Sequence, residues 1–175
     1  SNEQTVSLTQ FRGKPLIISL IYTSCYHTCP MTTKQLARVV QIAQAALGNN
    51  SFNVATIGFD TLQDTPQTMR YFATSQGINL DHWYFLSTTA ETIKGLTKDL
   101  GFTYFPSPRG YDHIVQATVI DAKGKIYQQI YGEVFAPPLL VEPLKQLILG
   151  RFSPQQPLLT DLINKVRFFC TTYDP

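Results

Sequence analysis

Residues 15–22, PLIISLIY, form an apolar run, rich in Ile and Leu, in which only Ser19 intervenes. A strand with one wet face alternates apolar and polar side chains, so an apolar run of this length predicts a strand buried on both faces. From Pro30 to Leu47 apolar residues recur three and four positions apart. This predicts a helix over 30–47, with Pro30 in its first turn and Gly48 just past its end. FNVATIGFD (52–60) reads as a second strand, followed by a helix over about 66–76 closed by Gly77. HWYFLS (82–87) is a third strand, and 89–101 a third helix capped by Thr88 or Thr89.

IVQATVID (114–121) and KIYQQIYG (125–132) alternate apolar and polar positions around Ala122-Lys123-Gly124, the signal of an antiparallel hairpin. A helix over 137–149 is predicted to pack on the resulting sheet. The order of elements predicts an α/β protein with a mixed central sheet, helices on both faces, and a C-terminal β-hairpin and helix. No repeat or linker interrupts the chain before Gly150, so 1–150 is read as one domain. The remaining 151–175 carries a periodic apolar face ending in Phe168, Phe169 and Cys170 and reads as a C-terminal helical extension.

Composition narrows the function classes. The chain has 175 residues, 15% of them charged, and a net charge of +2. A domain of this size buries roughly 70% of its unfolded surface and needs no disulfide staples. The charge balance suggests neither a disordered tail nor a nucleic-acid-binding surface. No apolar segment approaches the roughly 20 residues that cross a bilayer, so the chain as it stands is expected to be soluble. It starts at Ser1-Asn2 and stops at Tyr173-Asp174-Pro175, which reads as a trimmed piece, so the lack of a leader or anchor carries little weight.

Two of the three cysteines stand in Tyr22-Thr23-Ser24-Cys25-Tyr26-His27-Thr28-Cys29-Pro30, at the predicted strand-to-helix turn. Residues four apart on a helix have β-carbons about 5–6 Å apart, so the pair could form a disulfide after small adjustment. Two sulfurs at that spacing could equally share one ion. The unpaired N–H groups and partial positive charge of a helix start lower a thiol's pKa. At least one cysteine is therefore expected to be partly thiolate near neutral pH. Two buried, inert cysteines are the alternative, but a polar stretch at such a turn is a poor core element. Two thiolates alone leave zinc's four-ligand preference unmet, whereas cuprous copper favours thiolates and a third, imidazole ligand would suit either copper oxidation state.

The three histidines are His27, His82 and His113. His27 lies between two cysteines that share a helix face, so its side chain points away from them and is expected in solvent. His82 reads as a partly buried, hydrogen-bonded histidine at a strand start. His113, preceded by Asp112 at the entry to the strand 114–121, is the first choice as a ligand, with an ordinary strand-end residue as the open alternative.

The combination of Cys25-x-x-x-Cys29-Pro30 after a buried strand, Gly58-Phe59-Asp60 with Asp64-Thr65-Pro66, and Asp112-His113 before a hydrophobic strand resembles the Sco/SenC copper proteins over about residues 8–150. The resemblance implies a thioredoxin-like fold and copper held by Cys25, Cys29 and His113. It also implies membrane attachment on the oxidising side of the membrane, periplasmic in a bacterium. The implied partner is the copper-bearing subunit of cytochrome c oxidase, alongside other periplasmic copper or thiol-redox proteins. The implied role is metallochaperone, delivering copper to the dinuclear copper site or reducing its cysteines. The chain departs from the family pattern at Tyr26-His27-Thr28, where Pro-Asp or Pro-Asn often follows the first cysteine. The tail Phe169-Cys170-Thr171-Thr172-Tyr173-Asp174-Pro175 resembles an extension in some bacterial relatives; Cys170 could pair with another chain or be a buried, incidental thiol.

Other functions use similar parts. A peroxiredoxin-type peroxidase would need Thr or Ser three residues before the nucleophile and Pro seven before it, where Tyr22 and Ile18 stand. A thiol-disulfide reductase acting through Cys25 and Cys29 as a redox pair would not require His113. A copper sensor or structural copper module would use the same ligands as a chaperone.

Overall fold

The computed structural model describes residues 5–150. Five strands form the central sheet: β1 (Leu16–Ile21), β2 (Asn53–Gly58), β3 (Trp83–Leu86), β6 (Gln116–Ile120) and β7 (Ile126–Tyr131), in the order β3-β2-β1-β6-β7. β1, β2 and β3 are parallel, and β6 and β7 are each antiparallel to their neighbour. β1 sits between β2 and β6, which explains its apolar run: it is covered on both faces.

Alternation along β1 feeds two cores. Ile17 packs with Leu36, Val39, Val40 and Ala43 of α1 (Thr28–Leu47) and with Leu140 and Leu144 of α4 (Pro138–Leu149). Leu16, Ile18 and Leu20 pack on the other face with Met69 and Phe72 of α2 (Pro66–Ser75) and Ile93 and Leu100 of α3 (Ala90–Leu100). Helices therefore cover both faces, as expected from the order of elements. Thr65 caps α2 and Thr89 caps α3, each accepting a backbone N–H three residues on at 3.2 Å. Gly101 ends α3 in the left-handed conformation, φ 62°, and the Phe102 N–H returns to the Thr97 carbonyl at 2.8 Å. That turn sends Phe102 into the core, where it is 4% exposed.

Two elements differ from the sequence reading. α1 begins at Thr28 rather than at Pro30, because Pro30 falls in the first turn, where no N–H partner is required. A two-stranded ribbon, β4 (Tyr104–Ser107) and β5 (Gly110–His113), precedes β6. Its shortness and Pro106 hid it; proline is tolerated in a ribbon with free edges. His113 thus ends β5, paired with Tyr104, instead of opening the strand 114–121, which begins at Gln116.

The topology decides where chemistry can gather. β1 and β2 both run out toward one edge of the sheet, where the Phe59 N–H bonds the Ile21 carbonyl at 2.9 Å. β6 runs the opposite way, with Ala117 beside Ser19, so its start lies at that same edge. The cysteine loop, the 59–64 loop and His113 consequently meet there, at the carboxyl ends of parallel strands. A cavity of about 510 Å³ lined by Phe11, Leu16, Ile18, Leu96, Leu100 and Ile126 opens at the other edge and touches none of the three. No helix of the described residues is long and apolar enough to cross a membrane. The predicted helical extension and Cys170 lie outside the described residues.

Candidate metal and thiol centre

Cys25 is half-buried and Cys29 is buried, 1% exposed; both are free thiols. The Cys29 backbone N–H, in the first turn of α1, donates to Cys25 Sγ at 3.3 Å. No side chain of His27 caps the helix; the Cys25 sulfur takes that part, using one of the unpaired donors of the helix start. The Cys29 thiol also donates to Cys25, and this bond leads the causes that bring Cys25 down to about 5. Burial opposes it, while the N–H groups of Cys29 and His27 and the Tyr22 hydroxyl add to it. Cys29 moves the other way, well above the usual thiol range, through the same hydrogen bond, its burial and the neighbouring Cys25 charge. One thiol is therefore a half-exposed thiolate at neutral pH and the other a buried proton donor to it.

His113 completes the cluster. Its Nδ1 lies 2.9 Å from the Ile114 carbonyl, which can only accept, so in the neutral ring Nδ1 carries the proton and Nε2 presents a lone pair. That Nε2 stands 3.8 Å from Cys29 Sγ. An ion held about 2.3 Å from sulfur and about 2.0 Å from nitrogen, with donors at about 120°, separates them by about 3.7 Å. The donor set and this spacing fit a soft, low-coordinate ion. Among the described residues, no group of three or more His, Cys, Asp or Glu side chains stands close enough together to hold a metal ion as it is. An ion held by all three donors must displace the Cys29 thiol proton.

His27 is exposed at the start of α1, as expected. His82 begins the turn into β3 with φ 60°, and its carbonyl accepts from Val54 at the opposite edge of the sheet. Of the three histidines, His113 is the one brought to the cysteines.

Two features of the site were not read from the sequence. Tyr22, Phe59 and Phe102 enclose the His113 ring, with centroid separations of 5.7, 5.4 and 5.8 Å. Tyr104 and Tyr111 back Phe59 at 4.7 and 5.4 Å. Each such ring pair contributes about 0.5–1.5 kcal/mol beyond its burial. Gly110 passes so close over Tyr22 that a β-carbon there would stand 2.9 Å from the ring. The second feature is Asp64, 1% exposed, which accepts from the Thr23 N–H and hydroxyl and from the Asp60 N–H. Burial raises its pKa, and these three hydrogen bonds hold it back.

A family model for SCO1/SenC matches residues 1–149. The chain belongs to the SCO1/SenC family. A SCO1 homologue from Bacillus subtilis (strain 168) is 21% identical over 133 residues, which are 74% of this chain and 68% of the relative. Among solved structures, a candidate electron transfer protein from Aquifex aeolicus VF5 superposes with a TM-score of 0.74 at 28% identity, covering 82% of this chain and 83% of the other. Bradyrhizobium japonicum ScoI, solved with copper bound, superposes with a TM-score of 0.63 at 22% identity, covering 79% and 87%. The thioredoxin-like fold of the Sco proteins is the fold of this chain.

Proposed function

We propose that this protein is a Sco-type metallochaperone that takes copper as cargo through Cys25, Cys29 and His113 and passes it to the dinuclear copper site of cytochrome c oxidase. The observation that carries the reading is the fixed imidazole lone pair of His113, 3.8 Å from the buried sulfur of Cys29. A reductase needs no imidazole there, whereas a soft-ion site uses it as its third donor. Copper-bound Sco relatives support the choice of ion. Cys25 meets the incoming ion first, as a half-exposed thiolate. Cys29 then yields its proton to solvent, and the Nδ1–H bond to Ile114 leaves the Nε2 lone pair free for the ion. The oxidising face of the membrane, reached through an anchor, is the proposed location. The proposed division is a domain over 1–150 and an extension over 151–175.

The experiment is anaerobic titration of the reduced full chain with cuprous and cupric ions. One ion per chain is expected, with a thiolate-to-copper charge-transfer band for the cupric form. Retention of stoichiometry and band in Cys25→Ser or Cys29→Ser would overturn the reading.

A second reading rests on the asymmetric thiol pair. Cys25 as thiolate attacks a partner's disulfide, forming a mixed disulfide and expelling the partner's other sulfur as thiolate. Cys29, losing its proton, then attacks Cys25 Sγ, leaving the partner fully reduced and a Cys25–Cys29 disulfide behind. The low pKa of Cys25 and the buried, protonated state of Cys29 favour this order of attack.

A further inference from the structure

The proposed function leaves open how the imidazole is held ready in the absence of cargo. The His113 side chain is tethered at one atom, by its Nδ1–H bond to the carbonyl of the next residue. A single hydrogen bond sets which nitrogen carries the proton but does not by itself fix a ring plane. Three buried rings from three other segments do: Tyr22 at the end of β1, Phe59 after β2 and Phe102 after α3, which are 5%, 2% and 4% exposed.

Their geometry differs by wall. Tyr22 meets the imidazole edge-on at 89° and Phe59 at 66°, whereas Phe102 lies nearly parallel at 29°. Rotation of the imidazole about its own axis would sweep its edge into Phe102 and break the Nδ1–H bond together. Phe102 in turn is braced by Phe59 and Tyr104 at 5.4 and 6.1 Å. Gly101, in its left-handed turn, delivers it there.

We propose that Phe102 is a positioning residue for copper binding: stacked on His113, it holds the imidazole with Nε2 toward Cys29, so that the third donor is set before the ion arrives. This deepens the reading of the site as a copper carrier and rests on it. Loss of a stacked ring pair corresponds to a factor of roughly two to ten in an equilibrium constant. The loss falls more on the cupric form, for which a nitrogen donor counts for more than it does for the softer, thiolate-seeking cuprous ion.

The test uses the reduced full chain with Phe102→Leu, Phe102→Tyr, His113→Ala and the double variant Phe102→Leu/His113→Ala, each titrated with cupric ion. Phe102→Leu is expected to weaken cupric binding roughly two- to tenfold and to move the charge-transfer band toward that of His113→Ala. Phe102→Tyr, which restores a ring, is expected to recover both. The double variant is expected to bind no more weakly than His113→Ala, because Phe102 acts through that side chain. Wild-type affinity and band in Phe102→Leu, or losses that add in the double variant, would overturn the proposal. Nitrogen NMR of the metal-free imidazole decides it without copper: one Nδ1-protonated tautomer in the wild type and a mixture in Phe102→Leu are expected. An unchanged single tautomer counts against it. Should the wild type take up no cupric ion, the copper reading fails, and the nitrogen spectra still decide the positioning. Phe102→Met replaces Phe102→Leu if the latter does not fold.

Discussion

The buried carboxylate of Asp64 accepts the backbone N–H of Thr23 at 2.8 Å and its hydroxyl at 2.7 Å, two residues before Cys25. The other carboxylate oxygen accepts from the Asp60 N–H at 2.9 Å. One side chain thus ties the loop after β2 to the loop that carries the thiols. Asp64→Asn keeps the shape but turns an amide donor toward one of these donors. Leaving a buried donor unmatched costs about 1–3 kcal/mol. The denaturant midpoint should fall with unchanged m-value, and Cys25 should alkylate faster as its loop loosens. An unchanged midpoint would show that the carboxylate's burial costs as much as its bonds return.

The same contact fixes Gly58. A β-carbon there would stand 2.3 Å from the Asp64 β-carbon, closer than any real contact, and a β-carbon is fixed by its own backbone and cannot swing away as a side-chain tip could. Gly58→Ala should destabilise the protein by about 3 kcal/mol, at the upper end for overpacking. Thermal unfolding measures it. A loss no larger than that of a surface alanine substitution would mean that the two loops separate freely.

The legible part of this site was the part written in one segment. Two thiols four apart at a strand-to-helix turn declare soft-donor or redox chemistry, because spacing and helix start both act locally. β1 was legible because a strand covered on both faces has few polar positions, here Ser19 alone, which bonds Thr56. His113 was placed at the correct edge but on the wrong element, since β4 and β5 are four residues each and carry Pro106 and Gly110. Tyr22, Phe59, Phe102, Tyr104 and Tyr111 share no period, and an enclosure assembled from separate segments leaves no pattern along the chain. Asp64 stood within a recognisable motif, yet only the folded contact with Thr23 shows what it does.

The proton order within the thiol pair gives a pH prediction. Cys25 has its folded pKa brought down to about 5, chiefly by the Cys29 thiol, so it is a thiolate above that pH and a thiol below it. In the reduced, metal-free protein, iodoacetamide alkylation of Cys25 followed by mass should rise with pH through a midpoint near 5 and level off well before pH 7. Cys29→Ala removes the leading donor and should move that midpoint upward. A midpoint in the ordinary thiol range in the wild type would refute the assignment of Cys25 as the thiolate.

Only the dithiol should accept copper, because a disulfide sulfur has no thiolate lone pair to offer. Oxidation with excess oxidised glutathione removes two electrons and two protons and closes the Cys25–Cys29 bridge, forming two reduced glutathione molecules. Copper affinity should then collapse and return on reduction. Undiminished affinity in a sample shown by mass to carry the bridge would mean that the ion is held elsewhere.

Direction of transfer separates the two readings of the site. A carrier must release its ion, so its donors have to be reachable. Here Cys25 is half-buried at an exposed loop in which Tyr26 is 95% exposed, while Cys29 is buried. A partner's thiolates can therefore displace Cys25 first, then Cys29 and His113, the ion passing without being free. Reduced, copper-loaded protein should hand its ion to a soluble fragment of the oxidase subunit bearing a reduced cysteine pair, followed by loss of the charge-transfer band here and its appearance there. Cys170→Ser should transfer as well as the wild type, and a loss in that variant would bring the third thiol into the mechanism. If the wild type donates no copper while its metal-free dithiol readily reduces the fragment's disulfide, the chaperone reading gives way to the reductase, with Cys25 attacking and Cys29 resolving.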